Sequence, residues 1–308
     1  MAVQEKYRGA FPAFYACYDD NGNVSRERSA ALAEFYASIG VKGLYVAGSS
    51  GECVFHTVEE RKATLEAVME AVGDKMTIIA HIAAPATRDS IELARHAEKV
   101  GADAIAMVPG FYYGLNDAVV QKYWCDVLDA TDAIPMFIYN IPGLTNGYNL
   151  PTPVFMNMLA TGRVAGVKNS SLQVQDILRF RQAGGEDVAI FNGPDEQYLA
   201  GRMMGASGGI GGTYGYMPEL FLKLEEYICD NKIEEAKALQ QDITSIIYET
   251  VSFSTGSLYS ASKAILKLRG LECGDVRAPF VKVDGYDKNP GVIALYNRIE
   301  AVRAKNNC

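Results

Sequence analysis

The stretch Val164-Ala-Gly-Val-Lys-Asn-Ser-Ser171 is a short apolar run that carries a lysine near its end and passes directly into a polar turn. An ammonium group loses its hydration inside an apolar core. A lysine at the point where a strand leaves such a core therefore either extends its charge to the surface or is a reactive amine with a lowered pKa. A lone lysine is usually of the first kind, so the rest of the chain has to decide the role of Lys168.

Apolar runs of strand length recur along the chain, separated by longer segments with helical periodicity. The runs are continuous rather than alternating, as expected for parallel strands that are covered on both faces. They are Ala10–Ala16, Gly43–Ala47, Thr77–Ala83, Ala104–Val108, Ile134–Tyr139, Val164–Val167, Val188–Phe191 and Gly208–Gly211. Examples of the helical segments between them are Ser25–Ile39, Thr57–Val72 and Thr87–Val100.

This alternation predicts an α/β fold, a (β/α)8 TIM barrel. The alternative is a doubly wound open sheet, but Cys17–Val24 lacks the glycine-rich turn that usually follows the first strand of such a sheet. From about Pro218 onward the pattern is helical, in Leu220–Cys229, Ile233–Glu249, Tyr259–Gly270 and Pro290–Lys305. We expect residues 1–229 to form the catalytic barrel and residues 230–308 to form a C-terminal helical segment packed on it.

The composition of the 308-residue chain excludes several classes of function. Its net charge is −8 and no cluster of lysines and arginines stands out, so we expect no nucleic-acid partner. Because no apolar stretch is long enough to cross a membrane and Met1–Arg8 lacks the apolar part of a signal peptide, we expect a cytoplasmic protein. The six cysteines form no C-x-x-C pair, and three histidines disfavour a metal site, although carboxylates alone would still allow magnesium.

Catalytic groups of such barrels lie at the C-terminal ends of the strands and in the loops that follow. The polar segments at these places are Gly48–Glu52, Phe111–Tyr113, Tyr139–Pro142, Lys168–Ser170 and Asn192–Glu196. In the first of them, hydroxyl residues between glycines let backbone N–H groups approach an anion, either a carboxylate or a phosphate. The alternative is an ordinary turn with Glu52 in the first turn of a helix.

Tyr139 and Lys168 end neighbouring predicted strands, so their side chains can meet at the mouth of the barrel. An amine beside a phenol suits imine chemistry. The lysine attacks a ketone, and the tyrosine transfers protons during loss of water and cleavage of a carbon–carbon bond. The alternative for Tyr139 is a buried aromatic ring with a satisfied hydroxyl.

Four motifs in order resemble the N-acetylneuraminate lyase/dihydrodipicolinate synthase superfamily of class I pyruvate aldolases. They are Gly48-Ser-Ser-Gly-Glu52, Tyr139-Asn-Ile-Pro142, Gly166-Val-Lys168-Asn-Ser170 and Gly208-Gly-Ile-Gly211, and the resemblance extends from about Gly9 to Arg277–Phe280. It implies a homotetrameric barrel enzyme that needs no metal or organic cofactor and binds its substrate as an imine.

The resemblance also implies roles for individual residues. Lys168 is then the Schiff-base lysine, Tyr139 the acid/base group, and Ser49 and Ser50 the ligands of the pyruvate carboxylate, with Ser49 also relaying a proton. Tyr112 resembles an aromatic residue that the family lends across a subunit interface, although Tyr113 is an alternative match. The remaining residues expected to bind substrate are Ser170, Gly193, Asp195, Glu196 and Gly211.

Two positions distinguish the members of the superfamily. Leu144 stands where the synthases carry an arginine for the second carboxylate, whereas Asp195 and Glu196 match a pair that binds sugar hydroxyls in the lyases. The expected reaction is reversible cleavage of N-acetylneuraminate to pyruvate and N-acetylmannosamine. Gly212 in place of a serine, and the unusual turn at Thr145–Tyr148, leave open an aldolase or dehydratase for another 2-keto-3-deoxy sugar acid. Further alternatives are dihydrodipicolinate synthase and a catalytically silent sugar-acid binding protein.

Overall fold

The computed structural model describes residues 5–253 and 257–308. Within these ranges one parallel sheet has the strand order β1-β8-β7-β6-β5-β4-β3-β2 and curls into a nearly closed barrel. Its strands are β1 Gly9–Pro12, β2 Gly43–Val46, β3 Thr77–His81, β4 Ala104–Met107, β5 Met136–Asn140, β6 Val164–Asn169, β7 Ala189–Asn192 and β8 Gly208–Gly211. The predicted (β/α)8 barrel is thereby confirmed.

Helices connect the strands and continue beyond the last one. They are α1 Arg26–Ser38, α2 Val58–Val72, α3 Thr87–Lys99, α4 Asp117–Leu128, α5 Thr152–Leu159, α6 Gln175–Gly184, α7 Tyr198–Met203, α8 Pro218–Cys229, α9 Ile233–Phe253, α10 Leu258–Leu268 and α11 Pro290–Asn306. Short 3-10 helices occupy Glu5–Tyr7, Cys53–Phe55, Pro142–Leu144, Asp195–Gln197 and Thr213–Gly215. Among the described residues, none of the helices is both long and apolar enough to cross a membrane.

The first strand is shorter than the run Ala10–Ala16 predicted it to be. After Pro12 the chain leaves its partner strand β8 and crosses to β2. The amide of Ala13 still donates to Gly211 O at 2.9 Å, whereas the amide of Phe14 donates to Tyr45 O at 2.9 Å. This crossing closes the barrel between its first two strands, and the buried residues beyond it pack without a regular ladder.

Aromatic rings fill the interior of the barrel below the carboxyl ends of its strands. Phe191 lies between Phe11 and Phe137, with ring centres 5.3 and 5.5 Å away. Tyr7 packs edge-on against Phe137 at 5.0 Å. A side chain at Gly43 would not fit, because its Cβ would lie 2.0 Å from the Phe11 ring. The interior is therefore a packed core, as expected for a barrel of this type.

The C-terminal helices pack on the barrel and on one another. Helix α8 is the eighth helix of the barrel, and it contacts both α9 and α11. Helix α10 lies against α9 and α11 and reaches the loops at the carboxyl ends of the strands. The division of the chain at residue 229 stays a prediction from the sequence.

Candidate active site

A cavity of about 300 Å³ opens at the carboxyl ends of the strands. Most of the residues singled out from the sequence line it, namely Ser49, Ser50, Tyr139, Lys168, Ser170, Gly193, Asp195 and Glu196. Helices α9 and α10 add Ile247, Val251, Leu258 and Tyr259 to the wall. The site is therefore built from the strand ends on one side and from the C-terminal helices on the other.

Lys168 lines this cavity, and its amine contacts two tyrosine rings. It pairs with Tyr139 in the register of β5 and β6, and its Nζ lies 4.1 Å from the centre of the Tyr139 ring. The centre of the Tyr45 ring lies 4.6 Å from the same Nζ atom. Burial lowers the pKa of Lys168 to about 7, while the nearby Asp195 carboxylate opposes the shift. A large fraction of this amine is thus unprotonated and nucleophilic near neutral pH.

Tyr139 is a buried phenol that keeps its proton. Burial raises its pKa to about 12, and hydrogen bonding with Ser170 and Ser49 works in the opposite direction. Its ring packs edge-on against Tyr45, with the centres 5.8 Å apart. A protonated phenol that is hydrogen-bonded to two hydroxyl groups, on a ring that contacts the amine, has an arrangement suited to proton transfer.

The turn Gly48–Glu52 joins β2 to the 3-10 helix Cys53–Phe55. The amide of Gly51 donates to Gly48 O, and the amide of Glu52 donates to Ser49 O, both at 3.0 Å. The backbone amides of Ser49 and Ser50 donate no hydrogen bond within the described ranges, so they are available to a bound anion.

The alternative interpretation of this turn, with Glu52 in the first turn of a helix, was wrong. Glu52 has the left-handed backbone conformation, with φ of 52°, and helix α2 begins only at Val58. Its carboxylate is buried and accepts a hydrogen bond from Lys263 on α10. The ion pair with Lys263, far away in the sequence, accounts for this difference. It stabilises the Glu52 carboxylate at a place where no helix dipole does so.

Asp195 and Glu196 follow β7 and line the same cavity as the serine turn. The amide and the hydroxyl group of Thr213 donate to Asp195 Oδ2 at 2.7 and 2.6 Å. Burial raises the pKa of Asp195 to about 7, although the two hydrogen bonds from Thr213 lower it. One oxygen of Asp195 is thus held by the protein, whereas Glu196 is half-buried at the cavity wall.

Two of the predicted glycines leave room for polar atoms of this site. A Cβ at Gly211 would lie 2.1 Å from Asp195 Oδ1. A Cβ at Gly193 would lie 1.9 Å from Ser170 Oγ. Gly211 does not line the cavity itself, so its contribution is the close approach of the Asp195 side chain.

The structure does not bring Tyr112 into the catalytic cavity of its own chain. Tyr112 is 85% exposed and Tyr113 is 73% exposed, and neither belongs to the cavity wall. A neighbouring cavity of about 430 Å³ shares five wall residues with the catalytic cavity, namely Ser49, Ile141, Leu144, Leu258 and Tyr259. Its wall is largely apolar and includes Ser49 as a polar group next to the site.

Sequence reasoning missed Tyr45 and His81, which support the Lys168–Tyr139 pair from behind. The His81 ring lies 6.0 Å from Tyr45 and 6.2 Å from Tyr139. Buried Arg61 donates to His81 O at 2.6 Å and to Ala83 O at 2.8 Å. Burial holds the pKa of His81 well below its usual range, so the ring is neutral. The available signal was the position of Tyr45 inside an apolar strand that ends in a polar turn. Side chains of such a strand alternate between its two faces, so a tyrosine there can face the interior of the barrel.

Comparison with known proteins shows what this chain is similar to. Residues 6–294 match the model of the dihydrodipicolinate synthetase family. An N-acetylneuraminate lyase of Mediterraneibacter gnavus is 50% identical over 280 residues, which are 91% of this chain and 88% of that protein. The wild-type sialic acid aldolase of Ruminococcus gnavus has a TM-score of 0.94 at 48% identity, with 98% of this chain and 99% of that chain covered. A catalytic lysine mutant of that aldolase has a TM-score of 0.95 at 47% identity and covers 99% of both chains.

Proposed function

Because the chain belongs to the dihydrodipicolinate synthetase family, we propose that it is a Schiff-base aldolase that cleaves N-acetylneuraminate reversibly to pyruvate and N-acetylmannosamine. It is a carbon–carbon lyase, in line with the names of the relatives that cover nearly its whole length. The observation that carries the proposal is the buried Lys168 amine 4.1 Å from the Tyr139 ring, at the carboxyl ends of adjacent strands.

The proposed chemistry needs no metal or organic cofactor, because Lys168 itself provides the electron sink. Its neutral amine attacks the ketone carbon of the substrate, and loss of water gives a protonated imine. The C3–C4 electron pair then moves toward the imine nitrogen, and the C4 hydroxyl group loses its proton as the aldehyde leaves. The enamine that remains takes up a proton at C3, and water releases pyruvate from the lysine.

Tyr139 is the group we assign to proton transfer in these steps. Its high pKa makes it a donor at rest. It becomes a strong base once its proton has moved to the carbinolamine hydroxyl group that leaves as water, either directly or with Ser49 as a relay. Ser49 shares the cavity wall with it and connects the phenol to the turn that receives the substrate. In this proposal, the free amides of Ser49 and Ser50 and their hydroxyl groups bind the substrate carboxylate.

Asp195 and Glu196 bind the hydroxyl groups of the sugar chain in this proposal. Carboxylate oxygens accept from neighbouring hydroxyl groups, and Glu196 is half-buried beside the cavity. Leu144 is 61% exposed at the cavity wall and offers no cation for a second substrate carboxylate. This supports a sugar-acid substrate over the second substrate of the synthases.

One observation favours a different 2-keto-3-deoxy sugar acid. Gly212 lines the cavity, and a Cβ at this position would lie 3.0 Å from Ser50 Oγ. A side chain here would therefore be close to the turn that receives the substrate, but glycine offers no hydroxyl group. A substrate contact that a serine makes in the lyases is therefore missing. Cleavage rates measured on N-acetylneuraminate and on 2-keto-3-deoxygluconate separate the two candidates.

The assembly in this proposal is a homotetramer in which each subunit offers Tyr112 to a neighbour. It is supported by the exposure of Tyr112 and by the apolar cavity of about 430 Å³ that reaches Ser49. Light scattering should give the mass of four chains. Tyr112→Phe should lower turnover and Tyr113→Phe should leave it unchanged, and the reverse result would assign the role to Tyr113. The cytoplasmic location stays a prediction from the sequence.

Reductive trapping tests the mechanism directly. Incubation with pyruvate and borohydride should add one reduced pyruvyl group to Lys168, as located by peptide mass spectrometry. Lys168→Arg keeps the positive charge but cannot form the imine under these conditions, so it should show neither the adduct nor pyruvate release. Wild-type protein that releases pyruvate without an adduct at Lys168 would contradict the mechanism.

A further inference from the structure

A buried ion pair connects the serine turn to the C-terminal helices. Lys263 Nζ lies 2.7 Å from Glu52 Oε1, and the two side chains are 1% and 0% exposed. Glu52 is separated from the two serines of the turn by Gly51 alone, whereas Lys263 lies in the middle of α10. Charges this deeply buried persist only when all of their polar atoms are satisfied.

Two further groups donate hydrogen bonds to the second carboxylate oxygen of Glu52. The amide of Arg277 donates to Oε2 at 2.8 Å, and the hydroxyl group of Tyr18 donates to it at 3.2 Å. Lys263 in turn donates to Asp275 O at 2.9 Å, and its Nζ lies 4.5 Å from the centre of the Tyr18 ring. The carboxylate thus joins the turn to the loop after β1, to α10 and to the segment after α10.

The same contact holds the backbone that carries the serines. Glu52 adopts a left-handed conformation that is unfavourable for a residue with a side chain, and its amide donates to Ser49 O at 3.0 Å. Such a conformation persists when the surroundings determine it. Here the three donors to the carboxylate provide that restraint.

Helix α10 contacts the turn at a second place. Tyr259 lies four residues before Lys263, which puts both side chains on one face of the helix. The Tyr259 phenol is hydrogen-bonded to Ser50 and lines the catalytic cavity. One face of α10 therefore reaches both Ser50 and Glu52 of the turn.

We infer that Glu52 and Lys263 are positioning residues that fix the Ser49–Ser50 turn for the substrate carboxylate. They touch no reacting atom, and they act through the turn. This inference rests on the proposed function, because it takes the carboxylate of pyruvate as the ligand of the turn. The C-terminal segment is then required for substrate binding as well as for packing.

A second buried ion pair provides a matched control. Arg269, just after α10, donates to both carboxylate oxygens of Glu219 on α8. These side chains are 8% and 10% exposed, and neither lines the catalytic cavity. Glu219→Gln and Glu52→Gln are therefore the same chemical change in two buried ion pairs. The basic partner lies in α10 in one pair and directly after α10 in the other.

The test measures how trapping of the imine depends on pyruvate concentration. A glutamine at position 52 has only one side-chain oxygen that accepts hydrogen bonds. Its NH2 group would face either the Lys263 ammonium group or the Arg277 amide, both of which are donors. We expect Glu52→Gln to raise the half-saturating pyruvate concentration about tenfold, as for loss of a hydrogen bond to a charged group. The trapping rate at saturating pyruvate should stay within about threefold, since Lys168 is unchanged. Glu219→Gln should lower the melting temperature but leave half-saturation unchanged.

Lys263→Gln is a second variant in case Glu52→Gln does not fold. It removes the ammonium group that donates to Glu52 Oε1 and leaves the Arg277 amide as a donor to Oε2, so a rise in half-saturation is again expected. Unchanged half-saturation in whichever of the two variants folds, or an equal rise in Glu219→Gln, overturns the inference. Wild-type protein that gives no adduct overturns the proposed function instead.

Discussion

Tyr139 and Lys168 occupy directly paired positions of two adjacent strands, and the lysine Nζ lies 4.1 Å from the centre of the tyrosine ring. The parallel register alone puts the two side chains at one level of the barrel. Because the sheet holds both groups at that level, Tyr139 lies close enough to transfer protons to an intermediate bound to Lys168.

Removal of the Tyr139 hydroxyl group should separate proton transfer from imine formation. In Tyr139→Phe the ring still packs beside Lys168, so we expect the pyruvate adduct to form. Turnover in the cleavage assay should fall by about 10²- to 10⁴-fold, the usual contribution of a positioned acid or base. Tyr36→Phe is the control, since Tyr36 is also buried but donates to Gly215 O at 2.8 Å outside the cavity. Equal losses in the two variants would argue against a catalytic phenol.

The rate of imine formation should depend on pH through the lysine. Only the neutral amine attacks, and the pKa of Lys168 is about 7, so the trapping rate should rise as the pH increases through that value. The Asp195 carboxylate favours the ammonium form. In Asp195→Asn this stabilisation is lost, the lysine pKa falls, and the rising limb should move to lower pH. Trapping with pyruvate and cyanoborohydride over a pH series measures it, and a shift to higher pH would contradict the assignment.

Glu196 should affect the sugar and not the keto acid. Replacement of Glu196 by glutamine removes a charged acceptor at the cavity wall, so the KM for the sugar acid should rise about tenfold. Pyruvate alone does not reach the sugar end, and its half-saturation in the trapping assay should stay the same. Parallel measurements on both ligands check the split. A rise for pyruvate would place Glu196 at the wrong end of the cavity.

The glycine at position 211 should tolerate no side chain. Gly211→Ala puts a methyl group 2.1 Å from Asp195 Oδ1 and 2.3 Å from the Tyr214 ring. Overpacking of this kind costs about 1–3 kcal/mol of unfolding free energy, and displacement of Asp195 should also lower activity. Gly114→Ala is the matched control for stability, because nothing lies within 4 Å of its Cβ position. Denaturant unfolding of both variants measures the difference.

The barrel and the contact between Tyr139 and Lys168 could be predicted because both follow from local patterns. Continuous apolar runs mark buried parallel strands, and Tyr139 and Lys168 each end such a run before a polar turn. Once the fold is a barrel, the carboxyl ends of neighbouring strands meet at one rim. The register of β5 and β6 then determines the contact.

Contacts between distant parts of the chain could not be predicted in this way. Glu52 has the sequence features of a helix start, but its carboxylate pairs with Lys263 at the other end of the chain. Tyr45 reads as an ordinary strand residue until the barrel closes and brings its ring to Lys168. Neither partner leaves a periodic signal, because ion pairs and ring contacts between separate elements depend on packing and not on spacing.

The closure of the barrel also has a consequence for protein synthesis. The first strand pairs with the last, Gly9 with Gly208, and the serine turn is held by Lys263 and Arg277. On the ribosome, the serine turn is made well before the two residues that hold it. A nascent chain therefore contains Lys168 before Lys263 and Arg277 are available to hold the serine turn.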